Sequence, residues 1–209
     1  MNIASLNIGG RWSLCLSVLL LSVSLMSCSQ MVRQQSEMPP DWEATHARHQ
    51  AFDDWRVSAR MAVQTPETGG SLDMHWKQTG DAFDIRLIAP LGQGAMRLQG
   101  TPSEVIATTA DGERISGTPE ALLQANFGFS LPVEALIFWL RGIAYAADYS
   151  QASWNEQGRL HQVQQLGWRV EMREYSDVSG HQLPQRFYLE TDASGETHIR
   201  FSVSRWSAL

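Results

Sequence analysis

Past residue 28 this 209-residue chain has no cysteine; its two are Cys15 and Cys28. A disulfide framework, a thiolate metal site and a thiol nucleophile are thereby excluded from the main body, which must be held together by its hydrophobic core. A basic excess is also missing: 16 Lys and Arg against 22 Asp and Glu leave a formal net charge of −6. Nothing in that overall balance favours nucleic acid or an anionic membrane surface. No apolar run reaches the roughly 20 residues of a membrane-spanning helix. There is no Gly-x-Ser-x-Gly elbow and no phosphate loop. Gly92 and Gly94 precede a strand pattern, so no helix N-terminus stands behind them to hold a phosphate. The six histidines, His46, His49, His75, His161, His181 and His198, give no second pair at ligand spacing. They read as solvated side chains and not as a zinc site. Asp53-Asp54, on a helix face, and Glu171 and Glu174 read as solvent-facing charges. No repeat, low-complexity tract or composition shift divides the chain.

What is present begins with an export signal. Arg11 supplies the positive flank and Leu14 to Met26 a short apolar core. It closes on Leu25-Met26-Ser27-Cys28, a lipobox, which marks residues 1–27 for removal and Cys28 for lipidation. The only group carried is then a covalent lipid on Cys28, and no cofactor is expected. One acyl chain gives marginal membrane residence; several on one cysteine give a stable tether. The next residue is Ser29 and not the aspartate that commonly retains lipoproteins at the inner membrane, so the expected location is the outer membrane, facing the periplasm. Residues 28–41, with Pro39-Pro40, lack an apolar period and read as a lipidated tether. Residues 42–209 read as a single domain.

From Trp42 to Trp55 the mixed pattern suits an N-terminal helix. Beyond it the period becomes two, the signature of strands with one wet and one dry face. Leu72, Met74 and Trp76 alternate with Asp73, His75 and Lys77; after the turn Thr79-Gly80-Asp81, Phe83, Ile85 and Leu87 alternate with Asp84 and Arg86. Further strands are expected at 95–99, 104–108, 168–172, around Phe187 and Leu189, and at 199–203, with turns at Gly100-Thr101-Pro102, Asp111-Gly112 and 192–195. Two helices interrupt them. Thr118-Pro119-Glu120 is an N-cap, a proline at the first helical position and a first-turn acid. The second helix runs from Leu131-Pro132 to Leu140 and stops at Gly142, with Val133, Leu136, Ile137 and Leu140 in one apolar stripe. The expected fold is mainly β with helices: an unclosed antiparallel β-barrel, or half-barrel, with a helical lid over an apolar interior.

Aromatic and methionine side chains are the informative excess. Trp76, Phe83, Trp139 and Trp168 serve equally well as ordinary core or as the lining of a pocket for apolar chains. The loop Ala89-Pro90-Leu91-Gly92-Gln93-Gly94 places Leu91 where a turn normally presents polar residues. Two readings stand level: Leu91 folds back onto the core, or it reaches a membrane or an apolar partner, where burying it gains roughly 1.5–3 kcal/mol.

The lipobox at Cys28, the run Trp76-Lys77-Gln78-Thr79-Gly80, Leu87-Ile88-Ala89-Pro90-Leu91-Gly92, the helix ending Trp139-Leu140-Arg141-Gly142, and the stretches around Leu183-Pro184 and 199–206 together resemble the LolB-type outer-membrane lipoprotein receptors. The resemblance implies a monomeric, non-enzymatic receptor. It would accept cargo lipoproteins from a periplasmic carrier of LolA type, hold their acyl chains in the apolar interior and insert them into the inner leaflet of the outer membrane. It implies that Leu91 assists membrane insertion, and it makes Trp76, Phe83, Trp139 and Trp168 candidate acyl-chain contacts. Residues 173–180 and the tether depart from the pattern. Alternatives are an envelope lipoprotein that binds a free lipid or glycolipid, and a solid-cored structural scaffold.

Overall fold

Alternation at every second residue is what the backbone converts into sheet here. The computed structural model describes residues 37–90, 94–191 and 196–209, all within one compact unit spanning residues 33–209. Cys28, Leu91 and the 192–195 turn lie outside the described residues. Helix α1 (Trp42–Gln50) leads into β1 (Asp54–Gln64), β2 (Gly69–Thr79), β3 (Ala82–Ile88), β4 (Ala95–Thr101), β5 (Glu104–Thr109) and β6 (Arg114–Gly117). Helices α2 (Pro119–Phe127) and α3 (Val133–Leu140) follow. The chain then forms β7 (Ala152–Trp154), β8 (Leu160–Gln165), β9 (Trp168–Arg173), β10 (Ser176–Val178), β11 (His181–Leu183), β12 (Arg186–Thr191) and β13 (His198–Ala208).

Eleven strands make one antiparallel sheet in the order β6-β5-β4-β3-β2-β1-β13-β12-β9-β8-β7, and β10-β11 stand apart as a hairpin. Its edge strands β6 and β7 do not pair with each other, so the barrel is unclosed. These two edges are also joined in sequence by the segment that carries α2 and α3. The chain leaves one edge, lays two helices over the apolar face and returns to the other. Thr118 caps α2 by accepting from the Ala121 amide at 3.3 Å, with Pro119 next to it, and Gly128 ends it at φ 75°. Gly100, at φ 145°, is obligatory: a Cβ there would lie 2.0 Å from the Glu104 carbonyl oxygen.

Two expectations are corrected. The N-terminal helix stops at Gln50, and Trp55, fully buried, belongs to β1 together with Val57, Ala59, Met61 and Val63 on the core face. This central strand pairs with β2 on one side and β13 on the other. Asp54 therefore lies on a strand, where its carboxylate accepts the Gly80 amide at 3.0 Å. Nor are all the histidines solvated: His49 and His161 are buried. His161 Nε2 lies 3.3 Å from Glu171, which also takes Arg173 at 2.6 Å, so Glu171 is an ion-pair partner.

His49 belongs to the contact that ties α1 to α3. Arg141, 4% exposed, donates from Nη1 to the carbonyls of Gln50 (2.8 Å), Phe52 (3.3 Å) and His49 (3.4 Å), and from Nε to that of Ile137 (3.1 Å). A guanidinium has five donors in a fixed fork and no acceptor, which suits a cluster of carbonyls at a helix C-terminus, where the His49 carbonyl also accepts the Phe52 amide at 3.3 Å. Burial lowers its pKa to about 10, opposed by Asp53, and it remains charged at neutral pH. His49 returns the contact, donating from Nδ1 to the Arg141 carbonyl at 2.7 Å. That bond fixes the neutral tautomer and leaves Nε2 buried without a partner.

Truncating Arg141 to Ala takes their donor from the Gln50, Phe52 and Ile137 carbonyls, and urea unfolding is expected to show a loss of roughly 1–3 kcal/mol for each one left buried and unpaired. A loss under about 1 kcal/mol, the range of an exposed pair, contradicts the role assigned to this residue. Burial, reinforced by His181, Arg48 and Arg141, holds the His49 pKa down at about 4 against 6.5 for a free imidazole. Between those values the unfolded chain binds more protons than the folded one, so stability falls with pH from about 6.5 to 4, by up to about 3 kcal/mol from this residue. Urea midpoints at pH 7 and 4.5 should show a smaller drop for His49→Gln than for the parent. His46 and His181, both also lowered by burial, leave a residual slope.

Candidate functional site

The space between sheet and helices is the place where this architecture could hold something. The core faces of β1–β4 bring Met61, Met74, Trp76, Ile85, Leu87 and Leu98 to one side of it. Leu123 of α2, Phe129 and Leu131 of the link, and Val133 and Leu136 of α3 close the other. The lining is wholly apolar and encloses a void of about 20 Å³. Sites for drug-sized ligands run to roughly 300–1,000 Å³, so in this structure the interior is shut. Occupation requires the helices to lift or the side chains to re-pack. Two flexible, polarizable methionines in the wall are suited to re-packing.

Trp76 is in this lining, and its polar edge is satisfied: the indole N–H donates to Gln78 Oε1 at 2.8 Å, and Gln78 donates on to the Gly80 carbonyl at 2.7 Å. Phe83 packs behind it, edge to face at 6.0 Å between centroids. Trp139 and Trp168 are buried but outside the lining. Trp139 donates to Gln165 Oε1 at 3.0 Å, and Gln165 also bonds both backbone atoms of Tyr145 at 2.9 Å, which pins α3 to β8. Sequence reasoning misses Met61, although Val57, Ala59, Met61 and Val63 alternate at period two with Arg56, Ser58, Arg60 and Ala62, and Phe129, because it sits in the aperiodic link between helices. Nothing local marks either as a wall of the site.

At the end of the sheet where β3 runs out into Ala89, a surface cleft of about 490 Å³ opens between the β1–β2 turn and the end of α2. Val63, Leu72, Ala89, Phe127 and Phe129 supply its apolar part; Glu67, Thr68 and Gln124 are among its polar residues. Phe129, 3% exposed, borders both this cleft and the internal void. It is the residue the two linings share. Gly128, directly before it, holds the left-handed turn that ends α2. Among the described residues no group of three or more His, Cys, Asp or Glu is placed to hold a metal, and no helix is long and apolar enough to cross a membrane.

These elements define a class of fold in which an open antiparallel sheet wraps an apolar interior and is lidded by helices. A LolA superfamily protein from Nitrosomonas europaea has this fold, with a TM-score of 0.56 at 9% identity over 80% of this chain and 93% of that one. The family model described as outer membrane lipoprotein LolB matches residues 53–206. Outer-membrane lipoprotein LolB of Halorhodospira halophila is 35% identical over 95% of this chain and 97% of its own length. That of Alkalilimnicola ehrlichii is 33% identical over 90% and 94%, and that of Pseudomonas putida 36% identical over 72% and 74%. This chain belongs to the LolB family of outer-membrane lipoproteins.

Phe129→Ala should join void to cleft. Its expected cost is roughly 3–5 kcal/mol of stability, with faster uptake of an environment-sensitive fluorescent fatty acid measured by stopped flow. Lower stability with unchanged uptake contradicts a barrier at Phe129.

Proposed function

We propose that this chain is an outer-membrane receptor that takes lipoproteins from a periplasmic carrier of LolA type, holds their acyl chains between sheet and helices, and passes them to the inner leaflet of the outer membrane. The observation that carries this reading is the wholly apolar interior, lined on one side by the sheet and on the other by α2, α3 and their link. Exposed acyl chains cost roughly 0.8 kcal/mol per CH₂ in water, so they must travel covered. When they displace the lid, apolar surface exchanges for apolar surface, and the net change is small. Transfer then follows relative affinity from carrier to receptor to bilayer and calls for no nucleotide or other cofactor.

Two parts of the reading rest on residues outside those described. Cys28 carries the lipid that keeps the receptor at its membrane, and Leu91, two residues beyond the cleft residue Ala89, meets the bilayer at delivery. Trp76 is the cavity aromatic with most support, since it lines the void. Phe83 steadies it from behind, and Trp139 and Trp168 contribute to acyl binding only if the space extends when the lid lifts. A second reading, a solid-cored scaffold, is favoured by the small size of the void. The two part on whether apolar chains can enter.

Mixing the body made without Cys28 with a lipoprotein-loaded carrier should move cargo onto this protein. Cargo that stays on the carrier sinks the proposal. Leu91→Glu should keep fold and cargo binding while delivery into vesicles is lost; normal delivery by that variant removes Leu91 from the mechanism.

A further inference from the structure

The net charge of −6 conceals a segregation that the strand register exposes. On the outer face Ser58 of β1 stands opposite Arg205 of β13 and His75 of β2. His75 stands opposite Arg86 of β3, and Arg86 opposite Arg97 of β4. Thr108 of β5 links Arg97 to Arg114 of β6. One row therefore crosses seven strands, about 29 Å at the usual strand spacing, with four arginines, a histidine and no acid. In the next row Arg56 faces Lys77, which on its other side faces Asp84. Like charges directly opposite each other are destabilising, and both rows contain such a pair.

Asp84 is the acid nearest this cluster, paired with Arg97 at 2.5 Å and 4.0 Å from Arg86. Among the described residues, Arg56, Lys77, Arg114 and Arg205 make no ion pair. Across the sheet, on β9 and β12, the pattern reverses: Arg169 pairs with Glu190, Arg173 with Glu171 and Arg186 with Glu174. Arg56, His75, Lys77 and Arg86, with Asp84 as the single acid, also line a hollow of about 400 Å³. At the loop end of the same face Ile88 is 42% exposed, two residues along β3 from Arg86, in a row where it stands opposite Asp73, which faces Arg60. Two strand residues span about 7 Å, and the headgroup layer on one side of a bilayer is about 5–7 Å thick. An apolar tip reaching the acyl boundary would set the arginine row at phosphate depth.

We propose that the outer face from β13 to β6 is a docking surface for the phosphate headgroups of an anionic phospholipid bilayer, with Ile88 as its apolar edge. The guanidiniums of the Arg86 row bind phosphates in the plane of the membrane, and the body leans on the bilayer with the cleft mouth beside it. This extends the reading in which the Leu91 loop meets the membrane, and can fail separately from it.

The test uses the full lipidated chain anchored in vesicles, with a spin label on Thr108→Cys. That thiol is unique once Cys28 carries lipid and Cys15 has left with the signal segment. The label should meet a nickel-chelating headgroup in vesicles containing phosphatidylglycerol, and not in phosphatidylcholine alone. Arg86→Gln, Arg114→Gln and Arg205→Gln together, with the fold checked by circular dichroism, should weaken the docked state about fivefold per arginine, on the order of a hundredfold in all. A label that stays in water, or meets the headgroup equally in both vesicle types, overturns the proposal. So does one shielded only when a loaded carrier is added, since the face then serves a protein. Docking abolished by Leu91→Glu but intact in the triple variant leaves the loop reading standing and this one refuted; the opposite pattern does the reverse.

Discussion

An apolar sheet face that cannot close on itself is the constraint from which the rest of this molecule follows. With β6 and β7 as unpaired edges, the core faces of the strands need a cover, and the segment joining those edges supplies it. Because α2 and α3 are anchored at both ends by sheet strands, they can separate from the sheet without leaving it. The contact they break at the void is non-directional apolar packing, with no hydrogen bond across the void to be lost. Such a seam can be refilled by any chain of CH₂ groups of the right girth, which is the property a receptor for many different lipoproteins requires.

Directional bonding is placed elsewhere. Arg141 and His49 lock the base of α3 to the end of α1, Gln165 locks Trp139 of the same helix to β8, and Glu120 of α2 accepts the Val133 amide that begins α3. Polar bonds of this kind fix position because a buried carbonyl or indole left unpaired is costly. The base of the lid is therefore held by hydrogen bonds, while its underside is held by packing alone. The C-terminal end of α2, with Gly128 and Phe129, adjoins the surface cleft, so the seam between lid and sheet begins at the end of the fold nearest Ala89.

Much of this was legible in the sequence where period and punctuation agree. The hairpin of Leu72, Met74 and Trp76 with Phe83, Ile85 and Leu87 formed as its alternation requires, and Thr118-Pro119 began a helix for the reason such residues do. The start of the strand 54–64 was hidden because the pattern up to Trp55 suits a helix, although Val57, Ala59, Met61 and Val63 carry the strand period beyond it; Arg141 bonds the end of that helix from 91 residues away, and no local pattern carries that signal. The site was legible only in kind. Trp76 reaches the void because β2 faces it, whereas Trp139, equally aromatic, turns to Gln165; which of two buried tryptophans borders a cavity depends on long-range register. The arginine row is likewise invisible in composition, since its arginines come from β13, β3, β4 and β6 and are outnumbered by acids spread along the chain.

The central claim is that acyl chains lie between the sheet and its helical lid. A crystal structure of the protein with a bound triacylated lipopeptide tests it most directly. The account predicts acyl chains against Met61, Met74, Leu98 and Leu136, in an interior that has grown from about 20 Å³ to the several hundred Å³ that ligand sites occupy. Chains bound elsewhere, with the seam between sheet and helices still closed, would contradict it.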